Sequence, residues 1–240
     1  MDQGTPGMTR FALIAFDADD TLWQNERLFV HAQTTLKALL AHYHTPEWIE
    51  ERLYATEMRN LAHFGYGTKS FALSMIETAV ELTEGRISGR EIQTLIDAAR
   101  AMLTAEVELL EHVAETLAAL TERYQLMVVT KGDLLDQEAK LARSGIAGHF
   151  QHVEIVSDKR PDVYARLLQR LGVAPERFVM VGNSLRSDIL PVLELGAHAV
   201  YVPHALTWLH ERAEPPVGRP GFYEIAHLGW LPALLQRLER

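Results

Sequence analysis

Residues 11–22 read Phe-Ala-Leu-Ile-Ala-Phe-Asp-Ala-Asp-Asp-Thr-Leu. The first six are apolar without a break, and the run stops at Asp17. An uninterrupted apolar run of this length suits a strand covered on both faces, the situation inside a parallel sheet. The next five positions reverse the chemistry, with Asp17, Asp19, Asp20 and Thr21 around a lone alanine. In extended backbone Asp17 and Asp19 share a side. If the chain turns there, both carboxylates can converge on a metal or a reacting atom. Two carboxylates so close repel unless a cation neutralises them, and magnesium prefers oxygen ligands. The same residues also read as an acidic helix cap, with Asp20 or Thr21 satisfying amide groups.

Similar runs recur at residues 126–129, 178–181 and 199–202, and at 153–156 with Glu154 inside it, each with small or polar residues or a proline just beyond. Helical periodicity fills the intervals at 113–124, 134–144, 161–171 and 187–195. Pro161 suits a first helical turn, and Gly172 suits a helix end. This alternation predicts an α/β, Rossmann-like three-layer core with a parallel sheet and crossover helices. Ligands of such sheets sit at the carboxyl ends of the strands. Residues 25–108 contain no convincing strand. They carry four helical segments, 29–42, 47–61, 68–82 and 88–103, and Ser88 with Glu91 forms a capping-box pattern. Four helices in succession exceed a normal crossover connection. The expected division is therefore a catalytic core of 8–24 and 109–240, with 25–108 as an inserted helical-bundle cap. A short helix at 205–212 and an amphipathic helix at 231–238 complete the reading.

The 240 residues are 48% hydrophobic and carry a formal net charge of −9, enough apolar content for a real core and the wrong sign for a nonspecific binder of polymeric nucleic acid. The absence of cysteine removes disulfides and thiolate catalysis. No 18-residue apolar run is present, so no membrane association is expected and the cytoplasm is the expected location. Met8 is an alternative start, with the first seven residues as an extension. The expected assembly is a monomer or homodimer.

The other strand ends supply complementary groups. Thr130 and Lys131 follow the second run, and a hydroxyl with nearby backbone N–H groups can hold phosphoryl oxygens. Lys159 stands just before a helix start, where its charge opposes the helix dipole. Asn183 and Asp188 follow the fourth run and add oxygen ligands. Carboxylates, a hydroxyl, an ammonium and metal ligands on one sheet edge suit phosphoryl transfer. There charge on the electrophile is neutralised, a carboxylate attacks, and a second carboxyl moves protons.

With these residues in place, the chain resembles the haloacid dehalogenase superfamily of hydrolases, in its phosphatase-like branch with a helical cap between the first two motifs. The resemblance covers residues 10–203. It rests on Phe16-Asp17-Ala18-Asp19-Asp20-Thr21-Leu22, on Val129-Thr130-Lys131-Gly132-Asp133, on Lys159 with Pro161 and Tyr164, and on Val181-Gly182-Asn183-Ser184-Leu185-Arg186-Ser187-Asp188. It implies magnesium-dependent hydrolysis of a small phosphate monoester through an aspartyl-phosphate intermediate, with a small phosphorylated metabolite as the expected partner. Asp17 would be the nucleophile and a Mg²⁺ ligand. Asp19 would be the general acid/base, offering the metal its backbone carbonyl. Thr130, Lys131 and Lys159 would bind the phosphoryl group, and Asn183 and Asp188 would complete the metal shell. Two positions depart from the family pattern: Lys131 stands where Asn is common, and Asn183 where Asp is common.

Other readings of the same residues are a dehalogenase using the same nucleophile, a phosphomutase, and a catalytically weak ligand-binding member of the fold. Substrate selection is expected in the cap. Phe64 and Tyr66, within a glycine-punctuated loop, and Trp23 are the candidate aromatic contacts. Each also reads as ordinary packing.

Overall fold

A computed structural model describes residues 9–240; Met8 and the residues before it lie outside the description. Six strands form one sheet in the order β3-β2-β1-β4-β5-β6. They are β1 (Leu13–Phe16), β2 (Gln125–Lys131), β3 (His152–Val156), β4 (Phe178–Gly182), β5 (His198–Tyr201) and β6 (Phe222–Glu224). The pairings of β1 with β2, β1 with β4, β4 with β5 and β5 with β6 are all parallel. β1 is central and wholly buried, as its unbroken apolar run requires. Phe16 pairs in register with both Val128 and Val181. Asp17, Thr130 and Asn183 therefore leave neighbouring strands on the same carboxyl edge.

Two compact units are formed. The first takes the chain up to Gln24, with Glu108–Thr130 and Ser144–Arg240. Besides the sheet it holds α5 (Val113–Thr121), α7 (Pro161–Leu171), α8 (Leu190–Glu194) and α9 (Leu231–Leu238). One face of its sheet packs Leu13, Ala15, Met127, Val129, Phe178 and Met180 against Tyr164, Leu167 and Leu168 of α7. The second unit is Asn25–Val107 with Lys131–Arg143. It is the helical cap, built from α1 (Glu26–Leu40), α2 (Pro46–Phe64), α3 (Thr68–Leu82), α4 (Gly89–Thr104) and α6 (Leu134–Arg143). Leu36, Leu40, Ile49, Leu53, Phe71, Met75 and Leu95 make its core. The Ser88 and Glu91 capping box forms at the start of α4, with Ser88 N–H to Glu91 Oε2 at 2.7 Å and Glu91 N–H to Ser88 Oγ at 3.2 Å.

Three details differ from the sequence reading. α6 clusters with the cap rather than with the sheet, because polar contacts key it there. Lys140 Nζ donates to Asn25 Oδ1 at 2.9 Å, Lys69 Nζ to Asp133 Oδ1 at 2.8 Å, and Thr68 Oγ1 to Asp136 Oδ2 at 3.4 Å. Residues 205–212 hold only a 3-10 turn, Leu209–Glu211. β6 is a sixth strand of three residues, too short for a periodic signal. No helix among the described residues is long and apolar enough to cross a membrane.

Candidate active site

The first unit assembles the site at the ends of β1, β3 and β4. Backbone placement begins at Asp17, whose N–H continues the β1–β4 ladder to the Val181 carbonyl at 2.9 Å. The chain then turns sharply. Leu22 N–H bonds the Ala18 carbonyl at 2.8 Å, and Asp20 N–H the Trp23 carbonyl at 2.7 Å. Asp20 sits at φ +60°, a left-handed conformation that a non-glycine residue adopts only when its surroundings hold it.

Asp17 is 7% exposed. Its Oδ1 accepts a hydrogen bond from the Lys159 ammonium, and its Oδ2 accepts from Thr21 Oγ1 at 3.1 Å. Lys159 Nζ also donates to Asp188 Oδ1 at 2.7 Å, so one ammonium bridges two buried carboxylates. Asp188 is fully buried, and its Oδ2 accepts from Ser184 N–H at 3.0 Å. Gly182 makes that approach feasible. A Cβ there would lie 2.2 Å from Asp188 Oδ2, so any other residue would displace the carboxylate.

Asp188 rides on a single π-helical turn, Leu185–Ile189, capped by Ser184 Oγ accepting from Ser187 N–H at 3.0 Å. Both serine hydroxyls donate to Glu211 Oε2, each at 2.5 Å. Glu211 was not expected at the site. It lies far along the chain in an irregular segment, and no local pattern marks it.

Burial pushes the Asp17 carboxyl up to about 7; the Lys159 ammonium opposes the shift, while Asp188 and Asp19 add to it. Burial alone would lower Lys159, but the Asp17 and Asp188 carboxylates hold it well above the usual lysine range. Lys159 thus remains an ammonium.

The donor set fits a hard divalent cation. Asp17 and Asp188 share one ammonium, and Asp19 lies near enough to act on Asp17, so ionised the three carboxylates leave an excess of negative charge. Thr21 Oγ1 accepts from Asn183 N–H at 3.1 Å, and its single hydrogen lies within reach of both Asp17 Oδ2 at 3.1 Å and Asn183 Oδ1 at 3.3 Å. A hydroxyl can donate to only one of them at a time. The other is an oxygen suited to a metal, and every available ligand is oxygen. Among the described residues no three Asp, Glu or His side chains converge on one point. Lys159 stands between Asp17 and Asp188, and Asn183 enters as an amide.

The remaining expected residues fall in different places. Thr130 is buried, 3% exposed, at the end of β2. Trp23, expected as a substrate-facing ring, is instead 1% exposed within the first unit, with its indole N–H donated to Asp19 Oδ1 at 2.8 Å. The burial of residue 23 follows from backbone bonds on both sides of it, Leu110 N–H to the Leu22 carbonyl at 3.0 Å and Gln24 N–H to the Glu108 carbonyl at 2.9 Å. Lys131, Phe64 and Tyr66 belong to the second unit. There the Lys131 ammonium lies 4.0 Å from the centroid of the Tyr66 ring, and Phe64, the last residue of α2, is exposed.

Comparison with known proteins bears on the family and the fold. Residues 11–196 match the family model of haloacid dehalogenase-like hydrolases. A haloacid dehalogenase-like family hydrolase from Xanthomonas campestris has a similar structure, with a TM-score of 0.88 and 40% identity over 98% of this chain and 94% of its own. Human N-acylneuraminate-9-phosphatase is 24% identical over 97% of both chains. Glyceraldehyde 3-phosphate phosphatase of Methanopyrus kandleri is 28% identical over 73% of this chain and 77% of its own. The chain belongs to the haloacid dehalogenase-like hydrolases, as an enzyme with a helical cap.

Proposed function

We propose that the protein hydrolyses a small phosphate monoester by way of an aspartyl phosphate on Asp17. The observation that carries this reading is the buried Asp17 carboxylate with Lys159 on one oxygen and Thr21 on the other. In the first half-reaction Asp17 attacks phosphorus, the ester P–O bond breaks, and Asp19 in its acid form gives a proton to the departing alkoxide. In the second, Asp19 as a carboxylate takes a proton from water. The resulting hydroxide attacks phosphorus, releasing inorganic phosphate and regenerating Asp17. Lys159 offsets the charge on Asp17 and on the phosphoryl oxygens. Thr130 and Lys131, with the N–H groups that follow, bind the phosphoryl group. Asp17, the Asp19 carbonyl and Asn183, with Asp188 directly or through water, would hold Mg²⁺. When bound, Mg²⁺ supplies charge neutralisation over the phosphoryl oxygens.

The substrate class is the phosphate of a small hydroxylated metabolite. The names of the human and Methanopyrus relatives point to phosphates on oxygenated carbon chains. Phe64 and Tyr66 of the cap select the group that carries the phosphate.

The test is phosphate release from a panel of such monoesters, with Mg²⁺ and with EDTA. Magnesium-dependent release is expected, and Asp17→Asn should lower it by about 10³-fold or more while the melting temperature holds. Turnover by Asp17→Asn near the parent rate would remove the aspartyl-phosphate reading. Halide release from 2-haloacids without phosphate release would replace it by the dehalogenase reading.

A further inference from the structure

Trp23 is one of the largest fully buried side chains of the molecule, and it is placed for more than bulk. A buried indole N–H requires an acceptor, and here the acceptor is Asp19 Oδ1, at 2.8 Å. The donor itself is held rigidly. The Trp23 carbonyl accepts from Asp20 N–H, its own N–H reaches the Ala18 carbonyl at 3.3 Å, and the flanking Leu22 and Gln24 are tied to Leu110 and Glu108. The turn carrying Asp19 is therefore closed by the same residue whose side chain orients the carboxyl. The bond favours the Asp19 rotamers that keep Oδ1 on the indole N–H, and so sets where Oδ2 lies.

We propose that Trp23 is a positioning residue for proton transfer at Asp19. The indole holds Oδ1, and the proton exchanged with the substrate is carried on Oδ2. In the first half-reaction the Oδ2–H bond breaks as the ester P–O bond breaks, and the proton passes to the leaving oxygen. In the second, Oδ2 takes a proton from the attacking water, and no other group gains or loses one. The proposal rests on Asp19 as the acid/base and adds the residue that aims it.

An alkyl phosphate and a dinitrophenyl phosphate separate the two half-reactions. The alkyl ester needs the acid to expel its leaving group, whereas the dinitrophenolate leaves without one. Two changes remove the donor: Trp23→Phe, and β-(3-benzothienyl)alanine at position 23, which keeps the ring shape and replaces N–H by sulfur. For both, kcat on the alkyl ester should fall by about 10-fold or more, a fraction of what general acid catalysis contributes. KM should stay within about 2-fold, because the lost interaction acts in the transition state. On dinitrophenyl phosphate the first-turnover burst should slow by less than about 3-fold, while the steady state, which needs Asp19 as base, slows by about as much as the alkyl reaction. The burst also reports that the site is assembled. Equal losses in burst and steady state, or none with the benzothienyl residue, would overturn the proposal. Asp19→Asn measured alongside separates it from the reading beneath it. If Asp19→Asn is harmless, the acid/base assignment fails; if Asp19→Asn is severe and the donorless residues match the parent, only the role of Trp23 fails.

Discussion

Lys159 places an ammonium between Asp17 and Asp188, all three side chains buried. Removing it leaves two carboxylates facing one another in a poorly solvated site, where a broken ion pair is far costlier than at the surface. Lys159→Ala should therefore lower kcat by roughly 100-fold, about 3 kcal/mol of transition-state stabilisation, and should also lower the melting temperature. Steady-state kinetics beside a thermal melt check both, and a change confined to KM would show that the ammonium only helps substrate bind. At this scale the sequence was legible at Asp17, Lys159 and Asp188, which stand in the segments that follow apolar runs and whose side chains the structure brings together. It was uninformative where function depends on a partner distant along the chain. Glu211 meets Ser184 and Ser187 only after β5 and the segment beyond it have folded back. Trp23 is close to Asp19 in sequence, yet its aromatic ring reads equally well as a ligand contact. Only the buried indole geometry separates the two.

Elements were legible in proportion to their length and period. The four long helices of the cap and the buried strands announce themselves by 3.6-residue periodicity and by continuous apolar runs. β6 has three residues, and its strand state comes from pairing with β5. Residues 205–212 have helix-compatible composition, but tertiary contacts take its polar groups. Arg186 donates to the His210 carbonyl at 3.2 Å, and Glu211 is drawn to the two serines. In α2, Glu57 is a local conflict of another kind. Burial alone pushes its carboxyl from an ordinary value of 4.5 up to about 8. Below about pH 4.5 the group is protonated in the folded and unfolded states alike. As pH rises toward about 8 the unfolded chain releases the proton first, so stability falls across that window. Glu57→Gln carries no such proton. It should be stabilising near pH 8 by roughly 1–3 kcal/mol, less than the full shift implies because water reaches a partly buried side chain, and the gain should vanish near pH 4.5. Denaturant melts of both proteins across this range decide it; a pH-independent difference would mean that the carboxyl ionises freely in the folded state.

For the whole molecule the informative division is into two units. The sequence indicated a core and an insertion, but it could not show α6 siding with the cap, because that choice depends on Asn25, Thr68 and Lys69 meeting residues of a segment far along the chain. The division bears on how a metal would register in stability. A ligand that binds the folded state alone stabilises it in proportion to the logarithm of ligand over dissociation constant, and two units need not melt together. In the proposed site Asn183 would offer the metal an amide oxygen where a carboxylate would add charge, so Mg²⁺ binding should be weak, on the order of millimolar. At about 10 mM Mg²⁺ that amounts to about 1.4 kcal/mol, or a rise of about 3–6 °C. The rise should appear in the transition of the unit that holds Asp17, Asn183 and Asp188, while a separately resolved transition of the cap should stay in place. Asn183→Asp should enlarge the shift by adding a charged ligand. It need not raise kcat, since another negative charge beside Asp17 also opposes attack on a phosphoryl group. Calorimetry with Mg²⁺ and with EDTA tests this without any substrate. If neither protein responds to Mg²⁺, the cation assignment is wrong. If both respond equally, Asn183 does not touch the metal, and Asp188→Asn, by abolishing the response, would transfer that role to Asp188.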